Sequence, residues 1–485
     1  MPDTTSATDR VIVIGGGLSG LAAARRILQA RAPRKSPEVL LLEAKPRLGG
    51  AIATEHRDGF ILESGADSFI TNKPAAVELC QQLGLAGRLL ETDPKHRRSF
   101  VLHKGKLAPV PEGFVMLAPS RLLPLLTTPI LSLRGKLRVL LDLVLPRRAA
   151  GQDESLAAFV RRRLGREALD RIVQPLVGGI YTADPNELSL LATMPQFDRM
   201  EQQYGSLLRG VRMQTRQDRR VTRESSGARY GLFVTLDQGM SVLINTLADQ
   251  LPDTARQTGI AVRRVARNEA TKGWRVELIN GSTLDAGAVV MATEAHAAAR
   301  MLEFHDSELA LHLRSIPYAS SLVVNIAYPR NAIAHPLDGF GVVIPTIENR
   351  QILAVSFTSI KFPNRAPAGT VLFRVFVGGA LQPELCDLDD HAVESLVTES
   401  LRDLLGVRGQ PLLLEVSRHN RAMPQYTLGH LDRLAAVRRC LATQPGLFLT
   451  GNAFDGVGIP DCIRGAHDTA DAVAAYLATR GKAAA

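Results

Sequence analysis

Apolar positions along this chain fall mostly into short continuous runs punctuated by glycine. Val11-Ile-Val-Ile14 has no polar alternation, which predicts a strand buried on both faces of a parallel sheet. It ends in Gly15-Gly-Gly-Leu-Ser-Gly20, and Leu21–Ala30 then has helical character. Glu38–Glu43 (EVLLLE) predicts a second strand, closing a strand-turn-helix-strand unit. From Gly259 the pattern turns to strands again at 260–265, 274–279 and 287–292, with a turn at Asn280-Gly281. Segments 320–328, 341–345, 352–358 and 371–377 predict a further sheet. Leu447–Thr450 predicts one more buried strand, followed by a glycine turn and a helix from Pro460 to Leu477.

Two longer apolar runs are interrupted. Leu122–Leu133 contains Pro124 and Pro129 between Arg121 and Arg134, and Leu137–Leu145 ends in Pro146-Arg147-Arg148. Neither is long enough to span a bilayer, which takes about 20 apolar residues. Two readings stay open: a helical surface lying on an anionic membrane face, or a core hairpin of a second domain. Residues 209–230 are Arg-rich without apolar period and predict a solvated linker, and residues 1–10 a frayed terminus. The run after Arg10 stops too soon for a signal peptide.

With 485 residues, 45% hydrophobic and 22% charged, the chain has material for two to four domains, and this excludes a disordered or collagen-like protein. The formal charge of +10 suits an anionic partner, whether nucleic acid, membrane face or polycarboxylate, without choosing among them. Aromatics at 5%, with Trp274 the one tryptophan, argue against a platform for stacking single strands, so no nucleic-acid partner is expected. Cys80, Cys386, Cys440 and Cys462 form no CxxC pair and read as ordinary thiols. The 11 histidines show no metal-ligand spacing, so no metal site is expected.

The chemistry-bearing signal is Gly15-x-Gly17-x-x-Gly20, lying directly between a strand and a helix. Gly15 permits the tight turn, Gly17 the close approach of a pyrophosphate, and Gly20 the packing of helix on strand. The helix start at Leu18-Ser19 offers unpaired N–H groups to phosphate. Glu43, closing the second strand, can accept from ribose hydroxyls and disfavours a 2′-phosphate. Gly49, Gly50 and Gly65 would let backbone approach a ligand extending beyond its adenosine half. Thr450-Gly-Asn-Ala-Phe-Asp-Gly-Val-Gly-Ile-Pro460 supplies a second glycine turn into a helix, able to stabilise an anionic reduced flavin. These pieces in this order favour FAD over NAD.

The glycine motif, Glu43, Arg47-Leu-Gly-Gly50 and Gly451–Gly458 together resemble the flavin-containing amine oxidase and desaturase superfamily. Phe60–Pro74 (FILESGADSFITNKP), Pro175–Ser189 (PLVGGIYTADPNELS) and Gly456–Ile463 narrow this. They resemble the oxygen-dependent protoporphyrinogen oxidases and the coproporphyrinogen III oxidases of haem biosynthesis, across Val11 to about Leu477. The resemblance implies an α/β fold with three parts. A Rossmann-type FAD domain would gather residues 1–94, 235–310 and 440–485. An α-helical membrane-contacting domain would cover 95–208. A mixed-sheet substrate domain would cover 311–439, with 209–234 as linker and edge. FAD would bind non-covalently to Gly15, Gly17, Leu18, Ser19, Gly20, Glu43, Arg47, Gly49, Gly50, Gly65, Ala66, Val262, Gly451, Asn452, Gly456, Val457, Gly458 and Ile459, Val262 meeting the adenine.

The implied reaction removes six electrons from a porphyrinogen, with O2 as acceptor and hydrogen peroxide as product. No catalytic side chain beyond the flavin is expected. Phe340, Val343, Ser356 and Phe376 match positions lining the macrocycle slot, and Arg98 lies in the region of the family's propionate anchor. Strict register instead puts Ser99 at the Arg position. Ala183 stands where the family has a glycine that approaches substrate, which would reshape the slot. His296, at a strand-to-helix turn, reads as a plain helix-start residue ahead of a proton relay. The resemblance also implies a cytoplasmic chain, peripheral on the inner membrane face, with other haem-pathway enzymes as candidate partners. Two further readings remain open on the same scaffold. One is an amine oxidase or carotenoid-type desaturase, although the aromatic pair and lysine of an amine oxidase are not evident. The other is a non-catalytic flavin-containing porphyrin-binding protein.

Overall fold

The computed structural model describes residues 10–30, 37–112, 114–115, 117–119, 122–149, 151–214 and 233–483. Of the terminus expected to be frayed, residues 1–9 lie outside the described residues and Arg10 opens the first strand; most of the expected 209–230 linker also lies outside the described residues.

Five parallel strands form the central sheet, in spatial order Arg256–Thr258, Glu38–Glu43, Arg10–Ile14, Ala288–Met291 and Leu447–Leu449. Numbered along the chain this is 3-2-1-4-5, so the direction of winding reverses beside Arg10–Ile14. In such sheets that reversal opens a crevice at the carboxyl ends of the strands. Val11, Ile12 and Val13 have no exposed surface, as a doubly covered sheet requires. One face carries the helices Leu18–Gln29, Ser241–Asp249 and Ile459–Ala483. The other is covered by the antiparallel strands Val262–Asn268, Gly273–Leu278 and Thr283–Ala286, with Trp274 at the centre of the cluster.

A second sheet has seven strands, in order Leu413–Pro424, Tyr318–Pro329, Thr370–Gly378, Ala354–Ser356, Gly341–Val343, Phe100–His103 and Lys106–Pro109. All neighbours are antiparallel except Gly341–Val343 with Phe100–His103, which makes the sheet mixed. One face packs on helix Asp390–Leu405. Residues 100–109 were expected inside the helical domain. Instead they extend this sheet: Phe100 and Leu102 join the Val342 cluster on one face, while Val101 faces the other side, in the helical core.

The helical part begins after this hairpin. Its core joins Phe159, Ile172, Val173, Phe197 and Leu208. Asp142 and Arg163, both fully buried, pair inside it, and the Asp142 carboxylate also accepts from the Ser206 hydroxyl and the Leu208 N–H. The interrupted apolar segment is used in two ways. Leu125, Ile130, Leu131 and Val139 are buried, whereas Leu133, Leu137, Leu141 and Val144 are 78%, 64%, 48% and 75% exposed. Among the described residues no helix is long and apolar enough to cross a membrane.

Candidate active site

The crevice at the winding reversal is a cavity of about 670 Å³. Its floor is backbone. Gly49 donates to the Gly16 carbonyl at 2.8 Å, and Gly15 to the Leu42 carbonyl at 2.8 Å. A Cβ on Gly15 would stand 2.5 Å from the Ala292 carbonyl oxygen, and one on Gly20 would strike the Gly15 carbonyl oxygen. Gly17 caps helix Leu18–Gln29 without a side-chain bond, and no acid occupies the first turn, so its leading N–H groups and positive dipole end stay available to phosphate. Glu43 is fixed by backbone: Gly16 N–H donates to Oε2 at 2.7 Å and Lys45 N–H to Oε1 at 2.8 Å. Each oxygen keeps a lone pair for a ribose hydroxyl.

Of the residues expected at the cofactor, Gly15, Gly17, Leu18, Ser19, Glu43, Gly49, Gly50, Ala66, Val262, Gly451, Asn452, Val457 and Ile459 border this one cavity. Five others support it from behind. Gly20 is the helix–strand contact. The Arg47 guanidinium donates to the carbonyls of Leu48, Gly50 and Ile52, holding the loop rather than facing the cavity. Gly65 sits so close to the Ala51 carbonyl that a side chain would collide. Gly456 and Gly458 pack on Asp461, whose carboxylate pairs with Lys73 at 2.6 Å. Asp461 in the first turn partly offsets the dipole of helix Ile459–Ala483.

The second sheet reaches this cavity through the loop after Phe60–Glu63. Asn325 Nδ2 donates to the Glu63 carbonyl at 3.2 Å and the His419 ring contacts the Ser64 carbonyl at 2.7 Å. Arg374 donates to the Gly65 carbonyl and lies 3.2 Å from Asp67, while Lys361 lies 3.3 Å from the same carboxylate. Burial pushes Asp67 up, but Lys361 and Arg374 outweigh it and hold the carboxyl well below its usual range. Glu63 behaves oppositely. Burial raises it to about 7, against donation from Met240 N–H and Thr54 and the charges of Arg374 and Arg365.

Val343, Ser356 and Phe376 share one face by register, through Gly341 opposite Ser356, Val343 opposite Ala354, and Ala354 opposite Phe376. Arg374 and Asn325 stand on that same face. All three expected lining residues are half-buried. Phe340 precedes the strand, half-buried, tied by its N–H to the Arg98 carbonyl and by its carbonyl to Phe357 N–H. Helix Gln174–Tyr181 roofs this face, with Gly179 brought close to Val343. Val343, Tyr181 and Val457 join one apolar cluster, so the face abuts the glycine-turn end of the cavity.

Two expected residues stand apart. Arg98 is exposed and pairs with Asp338 at 3.2 Å. Ala183 is buried and borders a separate cavity of about 570 Å³ beside Pro317–Ser320 and Gly379-Ala380, because Thr182 turns the chain through φ 48° there. His296 does not border the nucleotide cavity. It stacks edge-on against Tyr318 at 4.9 Å, and burial pushes its pKa down.

A parallel 3-2-1-4-5 sheet with a glycine floor, a ribose-facing acid and a second helix start from the far end of the chain defines a dinucleotide-binding flavoprotein of the FAD class. The chain belongs to the family of flavin containing amine oxidoreductases, whose model matches residues 18–474. It is 36% identical to coproporphyrinogen III oxidase of Bacillus subtilis (strain 168) over 457 residues, covering 93% of this chain and 95% of that one. It is 38% identical to coproporphyrinogen III oxidase of Propionibacterium freudenreichii, covering 97% and 92%. Chloroplastic protoporphyrinogen oxidase of Nicotiana tabacum is 30% identical, with 96% and 85% covered. A crystal structure from Exiguobacterium sp. 255-15, provisionally assigned as a protoporphyrinogen oxidase, superposes with TM-score 0.84 at 29% identity, covering 96% and 98%. Putrescine oxidase, at 17% identity and TM-score 0.65, shares the fold alone.

Proposed function

We propose that this protein is an FAD-dependent porphyrinogen oxidase of haem biosynthesis, and that its substrate is coproporphyrinogen III. The half-buried face of Val343, Ser356 and Phe376, which does not itself line the nucleotide cavity but packs through Val343 in one apolar cluster with Val457 of its glycine turn, carries the reading. Two relatives at 36% and 38% identity bear the coproporphyrinogen III oxidase name, which supports that substrate over protoporphyrinogen.

The glycine floor fits FAD, since side chains at Gly15 or Gly20 would fill or break the cradle. Held by Gly15, Gly17, Glu43 and the Gly451 turn, FAD would supply two-electron hydride acceptance from carbon, three times per macrocycle, with O2 as the final acceptor. Three hydrides and three protons leave the macrocycle, giving the porphyrin and three H2O2. The chain's task is binding and placement. Phe340, Val343 and Phe376 offer apolar walls to the macrocycle, and the helix Gln174–Tyr181 above them excludes water. Arg98 stands apart from the cavity but beside Phe340, whose N–H its carbonyl accepts, and in this reading a substrate carboxylate competes with Asp338 for its guanidinium.

The helical part also supplies a membrane-contacting surface in this proposal. Leu133, Leu137 and Leu141 repeat every fourth residue and Val144 follows three later, so they form one exposed stripe; Leu123 and Leu126 of the preceding helix are also exposed.

The test compares kcat/KM for coproporphyrinogen III and protoporphyrinogen IX by product fluorescence. The purified yellow protein should bleach with the first under argon, recover in air, and release three peroxides per porphyrin. A protein that stays yellow under argon with both is not this oxidase.

A further inference from the structure

Away from the cavity, helices Ser307–Arg314 and His430–Ala442 pack side by side. Glu308 and His312 are four residues apart on the first and share a face, with Nε2 3.8 Å from Oε1. Cys440 comes from the second helix and is buried. The ligating atoms of Glu308, His312 and Cys440 all lie within 4.8 Å of one another. We infer that these three residues form a binding site for a borderline-soft divalent cation, Zn2+ in particular, which ties the two helices together.

The donor set points to that class of ion. A thiolate and an imidazole exclude Mg2+ and Ca2+, which take oxygen, while one sulfur, one nitrogen and one oxygen suit tetrahedral Zn2+ with water in the fourth position. Small side-chain rotations close the spacing to the roughly 3.5 Å between ligands that Zn–N and Zn–S bond lengths require. Asp306 is held as an outer charge, accepting from Leu309 N–H at 2.9 Å and Gln444 Nε2 at 3.2 Å. None of the three ligands borders the nucleotide cavity. Spacing along the sequence hides the site, because its third ligand arrives from a distant helix.

The experiment titrates tag-free holoprotein with Co2+, then Zn2+. One equivalent of Co2+ should give tetrahedral d–d bands to the red of the flavin absorption, with a thiolate charge-transfer band, and Zn2+ should abolish both. His312→Ala, at a surface position, should weaken Zn2+ binding at least tenfold while flavin absorption and oxidase turnover stay unchanged. Glu308→Gln should weaken it less, and Cys440→Ser should remove the charge-transfer band. Absence of the d–d bands, or equal affinity in His312→Ala, overturns the site.

Discussion

The hydroxyl of Tyr426 donates to the carbonyl of Asn452 at 2.6 Å, and the same oxygen accepts from Gly456 N–H at 2.9 Å. One side chain from the end of the second sheet thus closes the glycine turn that forms the flavin end of the cavity. Its ring stacks at 4.0 Å on His430, a fully buried histidine whose pKa burial lowers to about 4. Tyr426→Phe keeps the stack and removes both bonds. Each is worth about 1 kcal/mol, and the Gly456 N–H loses its partner. The Kd for FAD should rise about tenfold or more, read from flavin release on dilution, with little change in the far-ultraviolet circular dichroism. Unchanged FAD retention would remove Tyr426 from the site.

The nucleotide end predicts a graded pair of effects. Glu43→Gln keeps an acceptor for one backbone N–H but surrenders charge-assisted bonding to ribose, so FAD should bind roughly ten times more weakly. Gly20→Ala places a methyl against the Gly15 carbonyl and should yield a colourless protein. Absorbance after reconstitution with added FAD distinguishes the two.

How legible was this site? Four of the five parallel strands and both glycine turns could be read from sequence, because buried apolar runs and tight backbone approach admit few residue types; the fifth, Arg256–Thr258, could not, being short, polar and largely exposed. Strand Leu413–Pro424 could not: Ser417, Arg418, His419, Asn420 and Arg421 make it look like a loop. Those polar groups are spent on partners far along the chain, as in His419 to Ser64 and Arg421 N–H to Ser320. Arg374 and Asn325 did leave a signal: Arg374 is the one charged residue in strand Thr370–Gly378, and Asn325 interrupts the apolar run Leu322–Ala327. The side chain that pins Asn452 left none, since a tyrosine in a loop has no distinguishing spacing.

Glu63 makes stability depend on pH with an unusual sign. Its pKa rises from 4.5 to about 7 on folding, so the native state binds the extra proton between those values. Stability attached to this group is full below pH 4.5 and is lost as pH rises through 7, amounting to about 3 kcal/mol at about 1.4 kcal/mol per unit. Asp67, shifted downward, acts oppositely and loses its contribution only in strong acid. Glu63→Gln should therefore flatten the urea midpoint against pH between 5 and 7.5 while leaving the acid limb in place. A parallel displacement of the whole curve would assign that slope to another group.

The exposed leucine stripe predicts vesicle binding. Leu133→Glu with Leu137→Glu replaces two largely exposed apolar side chains and should not disturb the core. Flotation with anionic vesicles should recover at least tenfold less of the variant, with turnover in vesicle-free solution unchanged. Equal flotation of both proteins would leave the stripe without a membrane role.

Arg98 and Asp338 stand 3.2 Å apart near Phe340, both partly exposed, so their attraction is weak and leaves the guanidinium open to a competing carboxylate. If Arg98 anchors a propionate, the two substitutions move KM in opposite directions. Arg98→Ala removes the anchor and should raise KM for coproporphyrinogen III about tenfold with kcat nearly constant. Asp338→Asn removes the competitor and should lower KM severalfold, more at low ionic strength because an exposed charge is screened by salt. Phe376→Ala serves as the comparison, raising KM with little salt dependence because the ring is uncharged and its cation–π partner Arg374 is buried away from salt. Should Asp338→Asn raise KM as Arg98→Ala does, the pair acts by holding the Phe340 segment in place, and the carboxylate anchor lies elsewhere.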